Sequence, residues 1–395
     1  MAAGSGNGTR PVRLLFLNYE YPPLGGGAAN ATYHLLRELS AFGDIEVDLI
    51  ASSPGARRVE RPWSNVTVHL LDIGKRGSIH YQSYRELLVY AWKAFRYAGK
   101  LQRRSSYDVT LAFFGVPCGV IARLLRVPYV VSLRGSDVPG YSDRLELLDR
   151  LLFRRLSRYV WKGARRVVAL SEDLAKLARR TCATVPIDVI YNGVDTTEFT
   201  PPRSAAGATD APEALRVGFV GRLIPRKGLQ YAIPALRLCR DQGVEVRLSV
   251  AGDGPLREEL AATARREGVE DVVEFRGILP HGELPVFYRS VDVVAIPSLS
   301  EALGNVTHEA LAAGRPIVTT RTGAAEIADG ASIVVETASS EAIAQALMQL
   351  AAAPEVRRQL SENARAIAES MSWKEAAGRY GKLLRDAVVP TRRSP

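Results

Sequence analysis

Residues 297–320 read PSLSEALGNVTHEALAAGRPIVTT. A polar loop runs into a helix of small and apolar residues, and a short strand, PIVTT, follows at 316–320. Two carboxylates, Glu301 and Glu309, stand eight positions apart with Gly304 between them. Glu301 falls in the loop, and Glu309 about one and a half turns into the helix. The N–H groups of Gly304, Asn305 and Val306 at the helix start are candidates to face a phosphate. A carboxylate further along can hold paired hydroxyls such as a ribose diol. Taken alone, Glu309 reads equally well as a solvated helix residue.

Outward from this stretch, strands alternate with helices in both directions. Toward the N-terminus lie strand 215–221, helix 228–242, strand 244–252, helix 255–267 and strands near 272–276 and 291–296. Toward the C-terminus, helices take up most of 340–369, and a last helix runs from about Trp373 to Val388. The first half has the same rhythm: strand 13–18, helix 28–42, strand 46–52, then strands near 66–70, 107–113, 127–132, 166–170 and 187–190. Such alternation indicates parallel sheets covered on both faces. The fold class is therefore α/β with two Rossmann-like domains. The expected boundaries are a first domain 1–200, a linker 201–212 (PPRSAAGATDAP), a second domain 213–370 and a C-terminal helix and tail 371–395. Ligands of open parallel sheets sit beyond the carboxyl ends of the strands, so two such domains facing one another make a cleft.

Three further loops carry chemistry. NYEYPPLGGGAAN at 18–30 joins strand to helix, and Gly26 and Gly27 let a ligand approach free backbone N–H groups. Its spacing is neither a dinucleotide fingerprint nor a P-loop. A plain glycine turn is the competing reading. VGRLIPRKG at 220–228 sends Arg222 and Lys227 from a strand end, where a diphosphate gives them charge-assisted hydrogen bonds. A solvated pair of cations is the alternative. AGDGP at 251–255 brings Gly254 to the next strand end, and Asp253 reads mainly as the residue that shapes the turn.

Composition narrows the class. The 395 residues carry a net charge of +10, 47% hydrophobic residues and 7% aromatic residues. That charge attracts anions without choosing among them. Interleaved aromatic and basic repeats are missing, which disfavours a nucleic-acid-binding protein. Cys118, Cys182 and Cys239 form no CxxC pair and read as buried or incidental thiols of a reducing compartment. The N-terminal ten residues lack a signal-peptide core, and no apolar run reaches 18 residues. A cytoplasmic protein, peripheral at most to the inner face of a membrane, is expected.

Taken together, these segments resemble the family 4 retaining glycosyltransferases, which have the GT-B fold. The resemblance spans about residues 12–386. It rests on the E-x7-E segment, GRLIPRKG, GDGP, the VEFRGILPHGELPVFYRSVDVVAIPS run, VIYNGVDTTEF at 189–199 and the PPLGGG loop. It implies that Arg222 and Lys227 bind the donor diphosphate and that Glu309 binds the ribose. Glu301 then orients the donor sugar, and Gly304, Asn305 and Val306 meet the distal phosphate or sugar. Gly26 and Gly27 close over the diphosphate, and Arg276, Gly277 and Ile278 contact the base. The last helix returns to the first domain. One loop departs from the family's frequent histidine: VSLRGSDVPGY places Arg134 and Asp137 there. Arg134 could bind a phosphate or a sugar hydroxyl. Asp137 could bind an acceptor hydroxyl or pair with Arg134.

The resemblance implies transfer of a sugar from a nucleoside diphosphate sugar to a hydroxyl acceptor with retention of anomeric configuration. Uridine is the first choice of base, ahead of guanosine or adenosine, because it is common in the family. No D-x-D segment occurs, so no metal is expected. An epimerase or a glycoside phosphorylase on the same shell is the alternative. Two basic amphipathic stretches, 144–166 and 84–104, suggest contact with an anionic membrane and a lipid-linked acceptor. The plain reading sets their apolar stripes against the sheet. Oligomeric state is not legible.

Overall fold

The computed structural model describes residues 10–76, 82–141, 152–202, 214–301 and 303–388. The chain divides into two units, Met1–Tyr191 together with Trp373–Pro395, and Asn192–Ser372. Most of the expected linker, residues 203–212, lies outside the described residues, as do residues 144–151 of the first basic stretch.

The first unit contains β1 (Val12–Leu17), α1 (Gly27–Leu39), β2 (Ile45–Ser53), β3 (Arg58–Trp63), β4 (Val66–Asp72), α2 (Tyr84–Arg104) and β5 (Val109–Phe113). It continues with α3 (Val120–Leu125), β6 (Tyr129–Leu133), α4 (Arg154–Gly163), β7 (Arg166–Ala169), α5 (Glu172–Thr181) and β8 (Ile187–Val189). Its sheet has the order β3-β4-β2-β1-β5-β6-β7-β8. Every pairing is parallel except β3 with β4. The central strands VTLAF and YVVSL are buried along their whole length, as a doubly covered sheet requires. β3 was not foreseen, because RVERPW has no apolar alternation. It is an antiparallel edge strand with solvent on it, and its charges protect that edge.

Right-handed crossovers decide which helix covers which face. The β1–α1–β2 connection runs toward the β3 edge, whereas the connections through α2, α3, α4 and α5 run the other way. So α1 covers one face, and α2, α3, α4 and α5 pack side by side over the other. The last helix of the chain, Trp373–Ala387, packs on α1 and completes the first layer. α2 starts at a capping box, in which Ser83 and Glu86 each take the other's backbone N–H.

The second unit contains β9 (Leu215–Val220), α6 (Leu229–Asp241), β10 (Val246–Ala251), α7 (Arg257–Arg266), β11 (Val273–Gly277), α8 (Leu284–Ser290) and β12 (Val293–Ile296). Then follow α9 (Asn305–Ala312), β13 (Ile317–Thr320), α10 (Gly323–Ile327), β14 (Ser332–Val335), α11 (Ser340–Ala352) and α12 (Pro354–Ser370), with the last helix as α13. Its parallel sheet has the order β11-β10-β9-β12-β13-β14. β14 was also unforeseen. It is short, half-buried and follows a loop with no strong strand signal. The core fills the space between sheet and helices with Leu215, Val217, Phe219, Ile233, Leu236 and Leu347.

Candidate active site

Each sheet has one switch point, where successive connections leave in opposite directions. In the second sheet it lies between β9 and β12, in the first between β1 and β5. Ligand crevices form there, at the carboxyl ends of the strands. The candidate residues cluster at both places.

In the second unit the β9 loop and the β12 loop are fastened together by backbone. The Leu299 N–H donates to the Arg226 carbonyl at 2.8 Å, and the Arg226 guanidinium donates to the Ser300 carbonyl at 2.8 Å. Gly228 has φ +73°, and a Cβ on it would lie 1.8 Å from the Pro297 carbonyl oxygen. Gly252, at φ +146°, lets the β10 loop touch the Gly221 carbonyl in the same way. Only glycine permits these approaches.

On this frame Lys227 Nζ donates a hydrogen bond to Glu301 Oε2. Arg226 lies 4.0 Å from the other carboxylate oxygen. Burial alone pushes the Glu301 carboxyl up. The charges of Lys227 and Arg226, the Lys227 hydrogen bond and the charge of Arg222 outweigh burial and hold it below its ordinary value. Glu301 is therefore ionised. Arg222 is exposed at the start of the same loop. Gly304, at φ +78°, sets the start of α9 against the Glu301 side chain, and no side chain caps that helix. Lys227, Glu301 and the Gly304–Val306 backbone are thus brought together. Arg226 completes the group; the sequence reading passed over it because Arg222 and Lys227 bracket it in the same loop.

Glu309 is 7% exposed, so it is no solvated helix residue. The Tyr288 hydroxyl donates to its Oε2 at 2.8 Å. Burial and the nearby Glu198 raise its carboxyl above the ordinary value, against the Tyr288 hydrogen bond and the His281 charge. Tyr288 carries no signal in the sequence, because only packing against α9 gives it a partner. Gly254 sits against the β9 loop, where a Cβ would lie 2.5 Å from the Leu223 carbonyl oxygen; its N–H donates to Asp253 Oδ1 at 2.7 Å, and the Leu223 N–H donates to the Asp253 carbonyl at 2.9 Å. Gly277 gives its carbonyl to the Gly252 N–H at 2.7 Å, which joins the β11 end to this loop. Ile278 is exposed beside it, while Arg276 donates to Glu274 at 3.2 Å along the strand.

His308 is buried within α9. Burial pulls its imidazole from 6.5 down to about 4, against the backbone of Gly304 and Asn192. Below the ordinary value the unfolded chain binds a proton that the folded chain does not, so stability falls as pH drops from 6.5 toward 4. The loss is expected to reach about 2–3 kcal/mol. Urea titrations at neutral pH and near the lower limit will show it. His308→Asn should flatten the dependence, and an equal slope in that variant would refute this origin.

In the first unit the loop after β1 folds back on itself. Glu20 Oε2 accepts the Gly26 N–H at 3.1 Å, and Asn18 Oδ1 accepts the Glu20 N–H at 3.0 Å. The Gly26 N–H expected to be free is therefore engaged by Glu20. Gly26 and Gly27 are exposed at the start of α1. Across the switch point Tyr19 stacks on Phe114 at 4.5 Å. Asp137 is buried, and its two oxygens accept the N–H groups of Gly115 at 2.6 Å and Arg134 at 2.8 Å. It joins the β5 and β6 loops through backbone. Burial nevertheless raises its carboxyl. The Arg134 guanidinium lies 4.2 Å over the Phe113 ring. Burial lowers its pKa, opposed by the hydroxyl of Tyr380 and the charges of Asp137 and Glu20. Tyr380 comes from α13 and shares a 2.8 Å hydrogen bond with Ser132. No sequence pattern links it to a loop some 250 residues earlier.

Among the described residues no group of three or more His, Cys, Asp or Glu side chains is placed to hold a metal ion. Residues 25–198 match the model described as "Glycosyltransferase Family 4", and residues 214–353 the model "Glycosyl transferases group 1". The chain is 29% identical over 308 residues to the 2-deoxystreptamine glucosyltransferase of Streptomyces kanamyceticus, covering 71% of this chain and 77% of that protein. The solved sucrose-phosphate synthase of Thermosynechococcus elongatus superimposes with a TM-score of 0.80 at 20% identity, over 95% of this chain and 98% of that one. The Anabaena HepE structure, in complex with UDP and glucose, gives a TM-score of 0.71 at 20% identity over 95% and 100%. Two α/β domains, two consecutive family matches and these relatives agree: the chain is a glycosyltransferase of GT-B fold related to the family 4 and group 1 sugar transferases, and it moves a sugar from a nucleoside diphosphate sugar to an acceptor.

Proposed function

We propose that this enzyme transfers its sugar with retention of anomeric configuration, from a uridine diphosphate sugar to a hydroxyl of a polyhydroxylated acceptor. The observation that carries the reading is the Lys227–Glu301 pair with Arg226 at the second switch point. Departure of the sugar leaves negative charge on the diphosphate and positive charge on the anomeric carbon. The task is to stabilise both. Arg222, Lys227 and the N–H groups of Gly304, Asn305 and Val306 take the leaving phosphates. These cations supply the charge that a divalent ion supplies in other transferases. Glu301, held ionised, orients the sugar hydroxyls and faces the developing positive charge. Glu309 holds the ribose diol, and the Arg276–Ile278 turn meets the base. On the first unit, Arg134 is proposed to meet an acceptor or phosphate oxygen, and Asp137 holds it in place.

The choice of uridine is supported by the relative solved with UDP and glucose. An aminocyclitol-glycosylating relative supports a polyol-like acceptor. The test is a panel of nucleotide sugars against pooled polyol and sugar acceptors, followed by proton NMR of the product. Release of UDP that depends on acceptor, with the donor's anomeric configuration in the product, is expected. Interconversion of the nucleotide sugar without acceptor would indicate an epimerase instead.

A further inference from the structure

The helical layer α2–α3–α4 on the outer face of the first sheet is not used by the reaction above. Residues 84–104, 115–126 and 152–166 hold fourteen lysines and arginines and one acid, Glu86. That acid is buried at the start of α2, taking the Ser83 N–H at 2.8 Å and Lys75 Nζ at 3.1 Å. The charged groups on the outward surface of these segments are therefore all cations. Its charge exceeds the net +10 of the whole chain.

The same surface is apolar in one stripe. Tyr84, Leu88, Trp92 and Phe95 are 61%, 72%, 59% and 40% exposed. At about 100° per residue they fall within one narrow sector of α2. Arg85, Arg96, Lys100 and Arg103 occupy the adjoining sector. The opposite face buries Tyr90, Ala94 and Ala98 against the sheet. Leu124 of α3 and Tyr159 of α4 are half exposed on the same layer. Arg123 lies 5.0 Å over the Tyr159 ring. On the cationic side Trp92 borders a groove of about 370 Å³ lined by Arg57, Lys93, Arg96, Tyr97 and Lys100, with Asp72 as its one acid. Its wall is braced: Arg57 donates to the Tyr97 hydroxyl at 3.1 Å, and that hydroxyl meets His69 Nδ1 at 3.0 Å.

We propose that this layer docks on an anionic lipid bilayer, with the Tyr84–Phe95 stripe in the interface and a lipid head-group phosphate in the groove. Large apolar side chains beside a row of cations, with no exposed acid among them, is the pattern of an interfacial helix. A second copy of this face would repel the first. A nucleic acid backbone offers no counterpart to Leu88 and Trp92. No described helix is long and apolar enough to cross a membrane, so the contact is peripheral.

Flotation of the full chain with vesicles tests this without any turnover, and so independently of the proposed reaction. Binding is expected to phosphatidylcholine vesicles containing about 30% phosphatidylglycerol at low salt, and not to phosphatidylcholine alone. Arg96→Gln with Lys100→Gln should lower partitioning about 30-fold. Leu88→Ser with Trp92→Ser should lower it about 100-fold. Both pairs should leave the denaturation midpoint unchanged. Equal binding to both vesicles, or wild-type partitioning by the Leu88/Trp92 variant, would overturn the proposal. So would a dimer that the same substitutions dissociate.

Discussion

Lys227→Ala is expected to lower kcat/KM about 1000-fold, the loss found when one donor to a developing anion is removed. Lys227 is the least exposed cation of its loop, and Glu301 already fixes its ammonium in place. A proposed diphosphate therefore meets a positioned charge rather than a mobile one. Arg222, exposed on the same loop, should cost less on truncation, about tenfold to 100-fold. The single Lys227 change also strands a buried carboxylate, and breaking such a pair destabilises by about 3–5 kcal/mol. Lys227→Met combined with Glu301→Gln removes both charges and should restore the denaturation midpoint without restoring turnover. Near-normal turnover in the stable double variant would remove the pair from the reaction.

Glu309→Ala is expected to weaken binding of UDP about 100-fold, with two charged hydrogen bonds to a diol lost together. Titration calorimetry reads this directly, and unchanged affinity would exclude Glu309 from the site. Tyr288→Phe separates position from charge. It removes the hydroxyl that fixes Glu309 while keeping the ring against Phe199, whose centroid lies 5.8 Å away. A loss of about tenfold in affinity with kcat preserved is expected. The pH dependence has a definite sign. The Glu309 carboxyl is raised by burial, so nucleotide affinity should start to fall at a higher pH than an ordinary carboxylate would give. In Glu309→Gln that dependence should disappear.

Much of this site can be read without coordinates because its chemistry is local. Glu301, Gly304 and Glu309 share one loop and one helix, and Arg222 and Lys227 share another loop. The short range of the strand–loop–helix unit carries their placement. Glu20 is the limiting case. It lies six residues from Gly26, yet its hydrogen bond to that N–H depends on how the intervening turn closes. The partners that set charge and orientation are further off. Arg226 and Glu301 are separated by 75 positions, and Ser132 and Tyr380 by 248. Such pairs leave no periodicity, because either residue alone is compatible with many surfaces.

The sequence by itself determined the two α/β units, the family and the loops that bear the candidate residues. Alternating strand and helix periods, glycine turns and cations at strand ends are consequences of nearest-neighbour sterics and local burial. Tertiary structure alone decided four other matters. It placed β3 as an antiparallel edge, because edge strands need not alternate. It turned Glu309 from a residue that could have been solvated into a buried one, because Tyr288 packs over it. It made Asp137 a backbone anchor. It left the apolar stripe of α2 facing outward rather than onto the sheet, because Tyr90, Ala94 and Ala98 already fill the inward face and a helix buries only one side.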